Sequence, residues 1–272
     1  MWAQDIPRDK RHMFSKAIKD LSGGLKLWHV WFYQAYHEIS AKYKRTVLGS
    51  LWIVGSMVFL SIAFSIVTAA VFGQDLKDTL PYVMGGLMAF NMVSIVMTES
   101  PEVYLSNGGI ISNHAYPFTY YTFESTTKNF MIFAHNLVVF EIILAICQRL
   151  AIPHWSILIA LPVVFINMFT WGTLASMMSA RFRDLRFLLP YLTTVIMFCS
   201  PIMFKVTQFT GLKKLIVDLN PVYPFIEMIR SPLMGQPMAL QYWGTAAGIT
   251  FLGILLWLIF FNAFRNRISF WV

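Results

Sequence analysis

Long uncharged runs constrain this chain more than any other feature. About 20 apolar residues carry a helix across the hydrocarbon core of a bilayer. Six such runs follow one another: Thr46–Gln74, Thr79–Thr98, Asn129–Gln148, one within Leu150–Ala180, Phe187–Phe204, and one within Ser231–Phe264. Only Glu141 interrupts the third, and the fifth is short and carries Pro190 and Pro201. Composition agrees, with 57% of residues hydrophobic and 12% charged, about half the charged share of a globular protein. A soluble fold cannot hide that much apolar side chain. The expectation is an all-α polytopic membrane protein with six transmembrane helices, and an even number of crossings leaves both termini on one side.

The net charge of +8 would suit nucleic acid if the cations clustered on one face. They crowd instead ahead of Val47 and into short inter-span loops, which argues against a nucleic-acid partner. Fifteen of the 21 lysines and arginines fall on the side of the termini, so the positive-inside rule makes that side cytoplasmic. Cys147 and Cys199 lie in apolar runs and read as core thiols. Met1–Lys26 is polar and charged, so no cleavable signal peptide is expected. No internal repeat divides the rest. The chain is therefore read as a cytoplasmic N-terminus with an interfacial helix over 1–45 and a membrane domain over 46–272.

Two segments are neither span nor simple loop. At 100° per residue, Leu25–Lys44 puts Lys26, His29, Tyr33, His37, Ser40 and Lys44 on one side. Trp28, Trp31, Phe32, Ala35, Ile39 and Tyr43 fall on the other, as in a helix lying in the headgroup zone. Lys205–Leu240 holds two short apolar pieces, Leu212–Leu219 and Val222–Met234, separated by Asn220-Pro221. Proline forbids one long helix. Two short helices dipping back toward the membrane fit, and they imply a polar lumen nearby, because such backbone survives only against protein or water.

Chemistry-bearing motifs are few. Leu21-Ser22-Gly23-Gly24 copies the signature tetrapeptide of ABC ATPases, but only 20 residues precede it and no G-x-x-x-x-G-K-[ST] loop occurs. It reads as a turn before the interfacial helix. The six histidines form no H-E-x-x-H pair and no G-x-S-x-G elbow is present, so neither a catalytic residue nor a metal site is expected. Glu141 reads equally as a lumen-facing or proton-carrying acid and as a carboxyl packed against a neighbouring helix.

Glu38-x-x-x-Lys42-Tyr43-Lys44-Arg45, continuing through Gly49 to Trp52, stacks cations at the junction of the interfacial helix with the first span. On composition alone the cluster is topological anchoring. It also resembles the gateway segment of ABC-2-type permeases that export polysaccharides or polyol phosphates, the O-antigen, capsule and teichoic-acid exporters. Asn220-Pro221-Val222-Tyr223-Pro224, followed by Glu227, Arg230, Pro232 and Gly235, looks like that family's outer gate. Asn107–Phe118, with Ile110, Ile111, His114, Tyr116 and Pro117, resembles its cytoplasmic coupling segment. The likeness runs in order along essentially the whole chain.

The resemblance implies a multi-pass subunit of the bacterial inner membrane, working as a homodimer above two copies of a separate ABC ATPase. ATP and Mg would be held by that partner and no cofactor by this chain. The cargo would be a lipid-linked glycan whose diphosphate meets Lys42, Tyr43, Lys44 and Arg45, with membrane lipids around it. The inside loop Glu99–Lys128 would receive the push of the ATPase. Rival readings are an ABC-2 exporter of small lipophilic compounds, a membrane-embedded lipid-sugar transferase, and an ion-coupled flippase working through Glu141.

Overall fold

The computed structural model describes residues 15–44, 49, 51–206 and 217–272, and every regular element among them is helical. In chain order they are α1 (Ser15–Lys26), α2 (Trp28–Tyr43), α3 (Leu51–Phe72), α4 (Leu76–Thr98), α5 (Val103–Ser106), α6 (Gly108–Asn113), α7 (Phe118–Ile146), α8 (Ile157–Arg181), α9 (Leu185–Cys199), α10 (Tyr223–Leu233), α11 (Leu240–Phe264) and α12 (Ile268–Trp271). Among the described residues five helical stretches, containing α3, α4, α7, α8 and α11, are long and apolar enough to cross a membrane.

These runs are rich in β-branched residues, which in water would favour strands. In lipid every backbone group must be satisfied within its own segment, and the helix does that. Buried hydroxyls follow the same rule. In α3, Ser61 Oγ donates to the Met57 carbonyl at 2.7 Å and Ser65 Oγ to the Ser61 carbonyl at 2.6 Å.

The helix α4 is the hub of the bundle. Residues 83–90 are buried without a break, and α3, α7, α8, α9 and α10 all pack on it. One apolar core surrounds its middle, including Met84, Met88, Phe140, Met168 and Ile229. A second, with Tyr104, Phe118, Phe169, Trp257 and Phe261, closes the end of the bundle where α1, α5, α6 and α12 gather. That end is the base of the bundle.

Several expectations need correction. The fifth apolar run gives a helix of 15 residues, about 22 Å long at 1.5 Å per residue and short of the ~30 Å hydrocarbon core. It stops at Cys199 because Ser200 precedes Pro201 and is extended (φ −94°, ψ 140°), as a residue before proline prefers. The third run starts not at Asn129 but at Phe118, and α7 has 29 residues. Glu124 and Lys128 look like loop charges but ride on its lower turns. The expected loop Glu99–Lys128 therefore shrinks to Glu99–Pro117, holding α5 and α6.

The Ser22-Gly23-Gly24 turn is also absent. Those residues lie inside α1, and the chain bends at Leu27 instead. The glycines serve packing: a Cβ on Gly24 would stand 2.4 Å from Thr119 Oγ1, and one on Gly23 3.0 Å from Pro117. No larger residue lets α1 come this close to the start of α7. From the predicted apolar side of α2, Trp31, Ala35 and Ile39 turn inward, while Trp28 and Phe32 stay exposed with Tyr33 and Tyr36. The helix packs on α7 and still offers an aromatic face. Of the two short helices foreseen before the last span, α10 is present, and most of Leu212–Leu219 lies outside the described residues.

Candidate functional site

Two polar clusters stand out in this apolar bundle, one at α10 and one at the base. The first is built on Arg230, whose side chain is 1% exposed. Its Nη2 pairs with Glu227 Oε1, one helical turn back, and Nη1 donates to the Pro201 carbonyl at 2.8 Å. The guanidinium carbon stands 3.9 Å from the centre of the Tyr82 ring, a cation–π contact strengthened by desolvation. Glu227 also accepts from Tyr223 OH at 3.0 Å and from Ser231 Oγ at 2.5 Å. Burial alone would push its carboxyl up, but Arg230 and these hydroxyls outweigh burial and hold it below the ordinary carboxylate range.

This packing is closest at Gly86 on α4, where a Cβ would stand 3.1 Å from Arg230 Nη1. Asn220 closes the arrangement. Its Nδ2 donates to Ser200 Oγ at 2.8 Å, and its Oδ1 accepts from the Val222 backbone N–H at 2.9 Å. So α10 is latched both to α4 and to the end of α9. The predicted gate residues Asn220, Tyr223, Glu227 and Arg230 come together, whereas Pro221 lines an apolar cavity beside them. Sequence reasoning missed Tyr82, Pro201 and Ser231. The Gly85-Gly86 pair was the one available sign of close approach.

The second cluster centres on Asp20, whose side chain is fully buried. Its carboxylate accepts from the backbone N–H groups of Phe118 (3.3 Å) and Thr119 (3.0 Å) and from Thr119 Oγ1 (2.9 Å). Arg265 Nε donates to it at 2.5 Å. The first residues of α7 thus get their N-terminal cap from a residue 98 positions earlier, where the helix dipole also favours a negative charge. One carboxylate ties α1, α7 and the end of α11 together.

The segment Asn107–Phe118, the predicted coupling segment, leads into this knot, and the structure divides its residues. Ile111 and Phe118 are buried in the basal core, while Ile110 is 47% exposed, and His114 and Tyr116 are exposed too. Asn107 Nδ2 donates back to the Val103 carbonyl at 2.8 Å, and Pro117 leads into α7 in extended conformation. Tyr116 stacks on Tyr120 with 5.3 Å between ring centres. The exposed side chains of the segment include Ile110, His114 and Tyr116. Ile111 is an anchor, contrary to its predicted role as a partner contact.

At the other end of α2, Lys128 on α7 reaches Glu38 at 2.9 Å and Glu99 at 3.4 Å. Lys42 and Lys44 are exposed just beyond, whereas Arg45 and the Tyr43 side chain lie outside the described residues. A profile of the ABC-2 type transporter family matches residues 35–234, most of the chain.

The chain belongs to the ABC-2 type transporter family.

Two curated proteins, both O-antigen export system permease proteins RfbA of Klebsiella pneumoniae, are each 20% identical to this ABC-2 chain. The matches span 239 and 237 residues, 85% of this chain and 90% of each relative. The matched family region includes both α10 and residues 107–118. Glu141, the remaining candidate of this ABC-2 chain, is half-buried on α7 and has no hydrogen-bond or ion-pair partner among the described residues. It stands five residues before the end of the helix, about 7 Å along the axis. It is closer to the end of its span than the sequence suggests.

Proposed function

We propose that this chain is the membrane subunit of an ATP-driven exporter that moves a lipid-linked polysaccharide, of O-antigen or capsule type, across the bacterial inner membrane. The observation that carries the reading is the likeness, over 85% of the chain, to two O-antigen export permeases. In support, α2 ends in exposed Lys42 and Lys44 beside an outward aromatic face, which suits a diphosphate arriving at the headgroup plane. Lysine meets phosphate as a point charge, and Arg45 would add a bidentate grip.

The working unit is a homodimer with two copies of an ABC ATPase, which hold ATP and Mg. The base is cytoplasmic, with both termini, by the positive-inside bias. The α9 helix counts as a short sixth crossing, and α10 dips into the membrane from the outside. ATP-driven closure of the ATPases pushes on Ile110, His114 and Tyr116. The buried Ile111 and the Asp20 knot carry that push into α7, α1 and α11 as one body. The α10 latch, one side of which is the end of α9, then yields to admit the glycan between the two subunits.

The test is deletion of this chain in its host. Lipid-linked glycan should accumulate on the inner face of the membrane, and surface glycan should be lost and then restored by the wild-type chain. Intact surface glycan with new sensitivity to small lipophilic compounds would instead favour a drug-type exporter.

A further inference from the structure

Between α8, α9 and α11 lies an apolar cleft of about 560 Å³ that no part of the export reading uses. Trp171, Met178, Leu189 and Phe260 help wall it, and Arg181 and Arg267 line it at the base. Trp171 and Arg181 are ten residues apart on one helix, about 15 Å, which is the depth of one leaflet of a ~30 Å hydrocarbon core. The cleft is therefore as deep as one acyl chain layer, with its only formal charges where that layer's headgroups lie.

The two arginines are unlike their neighbours. Arg183 donates to the Trp271 carbonyl at 3.4 Å and Arg186 pairs with Glu102 at 3.6 Å. Among the described residues Arg181 and Arg267 form no side-chain hydrogen bond or ion pair, and each lies near one aromatic ring, Phe182 at 5.7 Å and Phe264 at 5.8 Å. Among the described residues neither has a carboxylate partner, and nearby Asp184 forms no ion pair with either. A ring near a cation takes up none of its N–H donors as a hydrogen-bonding oxygen would. Two unpaired guanidinium groups at the headgroup end of a one-leaflet apolar cleft complement a phosphate carrying acyl chains.

We propose that this cleft is a binding site for an anionic phospholipid. One acyl chain lies along α8 between Trp171 and Met178, and the phosphate sits against Arg181 and Arg267. The guanidinium fork grips phosphate oxygens bidentately, which a lysine could not do. The site is built on α8, α9 and α11 and holds a resident lipid rather than cargo.

The test is native mass spectrometry of the purified full chain with phosphatidylglycerol, phosphatidylethanolamine and phosphatidylcholine offered in turn. Phosphatidylglycerol should be retained selectively. At roughly fivefold per arginine near an anionic lipid, the R181Q/R267Q variant should retain it about 25-fold more weakly. Both arginines are exposed, so that variant should keep its monodisperse elution. A175W, which fills the cleft without touching the charges, should also lose the lipid. Equal retention of phosphatidylcholine, or unchanged retention by R181Q/R267Q, overturns the proposal. Displacement of phosphatidylglycerol by a polyprenyl diphosphate would assign the cleft to the transported lipid and overturn it as well. So would a disulfide between two copies of an M178C variant, which would put a second chain over the cleft.

Discussion

Removing the Asp20 carboxylate should loosen the start of α7 before anything else in the bundle. Asp20→Ala deprives the backbone N–H groups of Phe118 and Thr119 of their acceptor in a fully buried place. Each buried donor left unsatisfied costs about 1–3 kcal/mol. Arg265 is 32% exposed and can turn to water, so it adds little. The expected loss is about 3 kcal/mol, or ~100-fold in the local opening equilibrium at 1.4 kcal/mol per factor of ten. Asp20→Asn keeps one acceptor oxygen, for the Thr119 N–H, and puts an NH2 donor where Oδ2 accepted from the Phe118 N–H and Arg265 Nε, so it should cost about 1–2 kcal/mol, roughly tenfold. Hydrogen–deuterium exchange of a peptide covering Phe118–Thr122, on protein in nanodiscs, reads this directly. Exchange should quicken in the order wild type, Asp20→Asn, Asp20→Ala, with peptides from the middle of α8 unchanged. Wild-type exchange in Asp20→Ala would refute the view that this carboxylate caps the helix.

Breaking the α10 latch on one side should be worse than removing it whole. Glu227→Gln leaves the Arg230 charge buried without its partner, at a cost of about 3–5 kcal/mol, and adding Arg230→Met should recover much of that in thermal stability. At the coupling segment, Ile110→Asp should spare folding and abolish co-purification with the partner ATPase. Ile111→Asp should lower yield and stability, because that side chain is buried in the basal core. Equal behaviour of the two variants would remove the distinction between contact and anchor. Replacing Lys42, Lys44 and Arg45 together by glutamine should reduce glycan export while leaving insertion intact. Wild-type export, or an inverted chain, would return those charges to topology.

What the sequence revealed and what it hid divide along a physical line. Uncharged runs of 20 residues are a local property, so α3, α4, α7, α8 and α11 were all visible. So was α10, whose flanking Asn220-Pro221 marks a break. The interior of the latch needed geometry, because Tyr82 and Pro201 reach Arg230 only once α4 and the end of α9 are packed beside α10. The Asp20 knot was out of reach altogether: its partners lie 98 to 245 residues away, and a lone aspartate in a basic segment carries no signal of burial. Gly23-Gly24 misled because glycine marks turns and close helix approach alike. Glu124 and Lys128 misled because charge was taken as the end of a helix, although a helix longer than the membrane is thick carries charged turns beyond it.

Reconstituted transport tests the central claim most directly. The wild-type chain and its ATPase would be placed in proteoliposomes loaded with lipid-linked glycan, and glycan on the opposite face read by its accessibility to an added glycosidase. The account predicts that accessible glycan rises with time only when ATP and a hydrolysis-competent ATPase are both present. Equal accessibility without ATP, or no accessibility under any condition while small lipophilic dyes cross, would contradict it.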